Sequence, residues 1–155
     1  MIMIKRLLFI LVACALNFTL VLRAQTLSEK EFIEECMLGK EKCEAFEKQM
    51  MVDYGLKVEL SNYYDSDSRS FVYSYKWFSS DVFNAIDIEV EKEGVIKGML
   101  SGILGVDPSG ESLETLVNEY KKHNINIRIE YRYEKKVKSA TITPTEIQRL
   151  ASLLY

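Results

Sequence analysis

The chain has 155 residues, with 20 lysines and arginines against 23 acids and a formal net charge of −3. That length suits one domain with a single core and not two. A mildly acidic balance argues against a surface built to neutralise nucleic-acid phosphates or to grip anionic lipid.

The N-terminus speaks of destination. Met1 to Arg6 carries two positive charges, Leu7 to Leu22 has no charged side chain, and Arg23-Ala24-Gln25-Thr26 turns polar. This is the order of a secretory signal peptide. It predicts a leader over 1–24, cleavage after Ala24 and a single exported domain over 25–155, secreted or periplasmic. Two alternatives keep the chain at the membrane. Leu11-Val12-Ala13-Cys14 resembles a lipobox in which Cys14 is lipidated, although the apolar Ala15 to Leu22 that follows is unlike a solvated tether. Leu7 to Leu22 also reads as a retained anchor, just short of the roughly 17–25 residues that span a bilayer. Cleavage removes Lys5, Arg6 and Arg23 and no acid, which moves the net charge from −3 to −6.

Ser28 and Glu31 form a capping box flanked by Leu27 and Phe32 as a hydrophobic staple, opening a helix over about 29–53 that Gly55 ends. Phe32, Cys36, Gly39, Cys43, Phe46 and Met50 recur at intervals of 4, 3, 4, 3 and 4, so one continuous helix is expected. On such a helix Cys36 and Cys43 are separated by a rise of about 10.5 Å, beyond the roughly 7 Å Cα reach of a disulfide. Two buried free thiols are therefore favoured; a break at Gly39 would reopen the disulfide that an oxidising compartment suggests. Residues 57–64 and 70–78 alternate as strands around the polar turn Asp65-Ser66-Asp67-Ser68, a hairpin. A helical region follows from the Ser79-Ser80-Asp81 cap to about Leu104, then a Gly/Pro break, then a helix over 111–122. Ile125 to Tyr133 alternates without an error, and a turn at 134–136 leads to a partner strand over 137–143. Thr143, Pro144 and Glu146 open the last helix with a second capping box, stapled by Ile142 and Ile147. The order α-ββ-αα-ββ-α predicts an α+β fold: a four-stranded, mainly antiparallel sheet of two hairpins with helices on one face.

Phe71, Tyr73, Tyr75, Trp77, Tyr131 and Tyr133 fall on the strand faces that the helices need, so they read as core and not as a stacking pocket. The opposite face carries Lys57, Glu59, Lys76, Arg128, Glu130 and Arg132, with Tyr63 and Phe78 at its margins. Mixed charges across strands are commonly a solvated face, but here Arg128 and Arg132 are the candidates to grip a carboxylate or an acidic partner. Gly94, Gly98 and Gly102 form a small-residue stripe that reads as close packing. The run Glu89, Glu91, Glu93 reads as a solvated helix face. Asp65, Asp67 and Ser68 fail as a calcium loop because Arg69 and Ser70 stand where a ligand and a glycine belong. His123, the one histidine, sits at a helix C-terminus, where positive charge suits the dipole.

No phosphate loop, dinucleotide fingerprint or nucleophile elbow is present in the sequence, and no catalytic residue, metal ligand or cofactor is assigned. The expectation is a non-catalytic binding or interaction protein of the cell envelope or exterior, with a protein or small acidic ligand as partner and no nucleic acid. A carboxylate-dependent hydrolase using Asp65, Asp67 or Glu130 is one alternative. The other is a membrane-apposed accessory protein or lipoprotein, touching the membrane through the glycine-striped helix or a retained or lipidated N-terminal segment.

Overall fold

The computed structural model describes residues 27–154. The leader and Cys14 lie outside the described residues.

The capping box at Ser28 forms as the sequence predicts: Ser28 N–H donates to Glu31 Oε2 at 2.8 Å, and Glu31 N–H returns to Ser28 Oγ at 3.3 Å. The helix it starts is shorter than expected. Helix α1 runs Glu29–Cys36 and α2 runs Lys40–Tyr54, with an extended step at Met37 and Gly39 between them. The break has a distant cause. Asn62 accepts from the Leu38 N–H at 2.9 Å and donates to the Leu38 carbonyl at 3.1 Å, replacing the helical bonds that residue would have made. The apolar stripe survives the bend, since Cys36, Leu38, Cys43, Phe46 and Met50 are all buried. Both thiols remain free and buried despite the break. Gly55, at φ 64°, closes α2 in the left-handed conformation that glycine adopts without strain.

Strands β1 (Val58–Asp65), β2 (Ser70–Trp77), β3 (Asn126–Tyr133) and β4 (Lys136–Ile142) form one sheet in the order β1-β2-β3-β4. The two outer pairs are the antiparallel hairpins anticipated from the sequence, but β2 and β3 pair in parallel, so the sheet is mixed. A parallel pair requires a long crossover, and three helices supply it: α3 (Ser80–Ala85), α4 (Ile88–Val106) and α5 (Glu111–His123). The second helical region is therefore two helices, each with its own side-chain cap, Ser79 and Asp87. Helix α6 (Pro144–Ser152) opens on the predicted Thr143–Glu146 capping box.

The register sets Tyr75 between Leu60 and Tyr131, Phe71 between Tyr64 and Ile127, and Ile129 opposite Ala140, all on one face. Helices cover that face, and the aromatics are core. Phe32 from α1 meets Phe71 and Tyr120 edge-on at 5.9 and 5.1 Å between ring centroids. The glycine-striped α4 lies against β4, α5 and α6. No helix among the described residues is long and apolar enough to cross a membrane.

Candidate functional site on the open face of the sheet

Alternation along each strand sends the remaining side chains to the face without helices. The register arranges them in rows across the sheet. Glu59, Lys76, Arg132 and Val137 form one row; Ser61, Ser74, Glu130 and Ser139 the next; Tyr63, Val72, Arg128 and Thr141 the third. Lys57 and Phe78 extend this face beyond the first row. All six residues singled out from the sequence thus share one surface, but they do different things.

Glu130 is the anchor. Although no helix covers it, its carboxylate is buried, as are Val72 and Ser74 beside it. The two arginines that flank it on β3 direct their guanidinium groups at this carboxylate. Arg132 approaches Glu130 Oε2 through Nη2 and, at 3.0 Å, through Nε; its Nε also lies 3.2 Å from Ser74 Oγ. Arg128 Nε stands 3.3 Å from Glu130 Oε1, close enough for charge attraction but poorly aligned for a hydrogen bond. Arg128 Nη1 then donates to Asp65 Oδ2 and Ser68 Oγ, both at 3.0 Å. The two carboxylates are bridged by one guanidinium and do not converge on a shared cleft.

Asp65 is fully engaged in its own turn. Its Oδ1 accepts from the Asp67 N–H at 3.1 Å and its Oδ2 from the Ser68 hydroxyl at 2.7 Å. The Ser68 hydroxyl, with help from Arg128, holds the Asp65 carboxyl below the ordinary aspartate range. Arg128 is consequently a positioning residue for this face; its side chain is 21% exposed against 44% for Arg132.

The accessible chemistry lies at the other end. Lys57 Nζ sits 4.3 Å and Lys76 Nζ 5.0 Å from the centroid of the exposed Phe78 ring, two ammonium groups on one aromatic. Lys76 also reaches Glu59 at 3.1 Å, and both side chains remain about half exposed, at 53% and 51%. With Arg132 and the exposed Val137 alongside, this end offers cations beside apolar surface.

Two groups elsewhere depart from their sequence readings. Glu91 is not on a solvated helix face: it is 4% exposed, and the Tyr131 hydroxyl donates to its Oε2 at 3.3 Å. Burial, with a smaller contribution from the Asp87 charge, pushes its carboxyl up to about 7. The signal was present, because position 91 continues the inward stripe of Ile88 and Val95; its acidic neighbours Glu89 and Glu93 masked it. His123 does stand in the last turn of α5, but its Nε2 also lies 3.0 Å from the buried Glu119 and 3.2 Å from the Leu27 carbonyl. Its ring stacks on Phe32 at 5.5 Å. This cluster ties the first described residue to the end of α5.

Among the described residues no three His, Cys, Asp or Glu side chains gather in a way that could hold a metal ion. Comparison of the chain with family models, with curated proteins and with solved structures finds no match.

Proposed function

We propose that the protein is an exported, non-catalytic binding protein of the cell envelope whose open sheet face recognises an acidic ligand or an acidic segment of a protein partner. The leader supports the location. The observation that carries the recognition is the exposed cluster of Lys57, Lys76, Phe78 and Arg132. Ammonium and guanidinium groups attract a carboxylate, and the Phe78 ring and Val137 add apolar contact that a solvated charge pair lacks. The role of Arg128 is narrowed to holding Glu130 and Asp65 in place, so the recognition test belongs at the accessible end.

The test is quantitative capture from the native host with the full chain as bait, compared with a triple variant, Lys57→Ser, Lys76→Ser and Phe78→Ser. All three side chains are exposed, so the fold should be retained. Loss of at least about tenfold in captured ligand, worth roughly 1.4 kcal/mol, is the expected result. Undiminished capture by a folded triple variant places recognition elsewhere.

A further inference from the structure

The two edges of the sheet are finished differently. The outer edge of β1 is capped at its centre: the Leu60 N–H donates to Glu47 Oε1 of α2 at 2.8 Å, and the α1–α2 connection is held beside it by the Asn62 side chain on the Leu38 backbone. The outer edge of β4 is not. Its hairpin loop is the pair Glu134-Lys135, with Tyr133 opposite Lys136. In a two-residue hairpin the residues flanking the loop exchange both backbone hydrogen bonds, and the pattern then alternates. Lys136, Lys138, Ala140 and Ile142 therefore turn their N–H and C=O groups toward β3, and Val137, Ser139 and Thr141 turn theirs outward. Among the described residues no group bonds to that outward backbone. The three side chains are exposed.

Natural edge strands are blunted by proline, by bulges, by a charge standing off the edge or by a covering segment. β4 has no proline and no glycine, and it pairs with β3 without a bulge over its whole length. Its central lysine is turned under the sheet: Lys138 Nζ donates to the carbonyls of Phe83 at 2.9 Å and Ile86 at 2.8 Å, at the end of α3. The edge is thus unprotected in a strand of β-forming composition.

We propose that two copies of this chain pair through β4, antiparallel about a two-fold axis at Ser139, to form one continuous eight-stranded sheet. The pattern is self-complementary. Ser139 meets its own copy, Val137 meets Thr141, Lys138 meets Ala140 and Lys136 meets Ile142. The outward-facing residues pair with one another, giving six backbone hydrogen bonds across the axis by the alternation of an antiparallel ladder. No lysine faces a lysine, and β4 carries no acid. Because β4 meets its own copy, the contact is isologous and is used up at two copies, so it does not itself propagate into a filament.

Sedimentation velocity on the purified full chain, at concentrations up to about 100 µM, reads the association state. A dimer is expected, and Ser139→Pro is expected to weaken it at least tenfold. That substitution removes an N–H that points away from β3, so the hairpin keeps its ladder; circular dichroism checks the fold. A second pair of variants tests the register. Val137→Lys with Thr141→Lys sets like charges opposite each other and should give a monomer, whereas Val137→Lys with Thr141→Glu sets opposite charges and should restore the dimer. A monomeric wild-type chain, a dimer indifferent to Ser139→Pro, or two double variants that behave alike would each overturn the proposal, the first leaving the edge to a different occupant.

Discussion

Replacing Glu91 by glutamine should stabilise the protein above neutral pH and change little below pH 5. The carboxyl lies on the inner side of α4, 4% exposed, with the Tyr131 hydroxyl as its hydrogen-bond donor. Burial pushes its carboxyl up to about 7 from the ordinary glutamate value of 4.5. Between those two values the folded protein keeps a proton that the unfolded chain has released. Stability therefore falls as pH climbs through that window and is flat above it. At 1.36 kcal/mol per unit, the full loss is roughly 3 kcal/mol. Glutamine keeps the shape and a partner for Tyr131 but never ionises. Urea unfolding of both proteins at about pH 5 and pH 8.5 isolates this group, because every other titration is shared by the pair and cancels in the difference. The variant should match wild type at the lower pH and exceed it by about 2–3 kcal/mol at the higher. A difference that does not change with pH would refute the claim that a buried Glu91 resists ionisation.

The open face and the cysteines give two more tests. Arg128→Met strands Glu130 and Asp65 without their shared guanidinium and should cost about 2 kcal/mol or more; Arg132→Met removes the hydrogen bonds to the buried Glu130 carboxylate and should cost about 1–3 kcal/mol. Urea midpoints check both, and a loss at Arg128 below about 0.5 kcal/mol would refute its role in holding the face. Burial pushes the Cys36 thiol up to about 12 and raises that of Cys43 as well. Neither should react with an aromatic disulfide reagent in the native protein, and both should react once it is unfolded; fast labelling of native Cys36 would contradict its burial.

What the sequence disclosed depended on how local the cause was. Capping boxes at Ser28 and Thr143 are decided within four residues, and both formed. Alternation in the strands assigned each side chain to a face, which was enough to separate the aromatic core from the charged surface. It did not assign neighbours, because a period of two carries no information about strand order. The parallel β2–β3 pairing comes from the three-helix crossover. The break after Cys36 was equally hidden: its cause, Asn62, lies on a strand, and the buried stripe continues through the bend. At the open face the residue list was legible and the division of labour was not. Nothing near Arg128 in sequence announces that Asp65 and Ser68 will occupy its guanidinium.

That division leaves the centre of the face rigid and its far end exposed. The Asp65–Arg128–Glu130 chain fixes the centre of the face and orders Arg132, which stays 44% exposed beside it, where a flexible arginine would have to be ordered on each binding event at a cost of roughly 0.5–1.5 kcal/mol. Lys57 and Lys76 are instead held against Phe78, partly ordered but still exposed. Val137 links this end to the free edge, since it closes the Glu59–Lys76–Arg132 row and also turns its backbone outward from β4. Edge pairing and face recognition nevertheless separate chemically: one uses main-chain groups of β4, the other the side chains of Lys57, Lys76, Phe78, Arg132 and Val137 on the open face. Ser139→Pro alters the first and leaves Lys57, Lys76, Phe78 and Arg132 in place. A monomer made that way which captures ligand as well as wild type assigns recognition to a single copy, while a parallel loss of capture makes the paired sheet the binding unit.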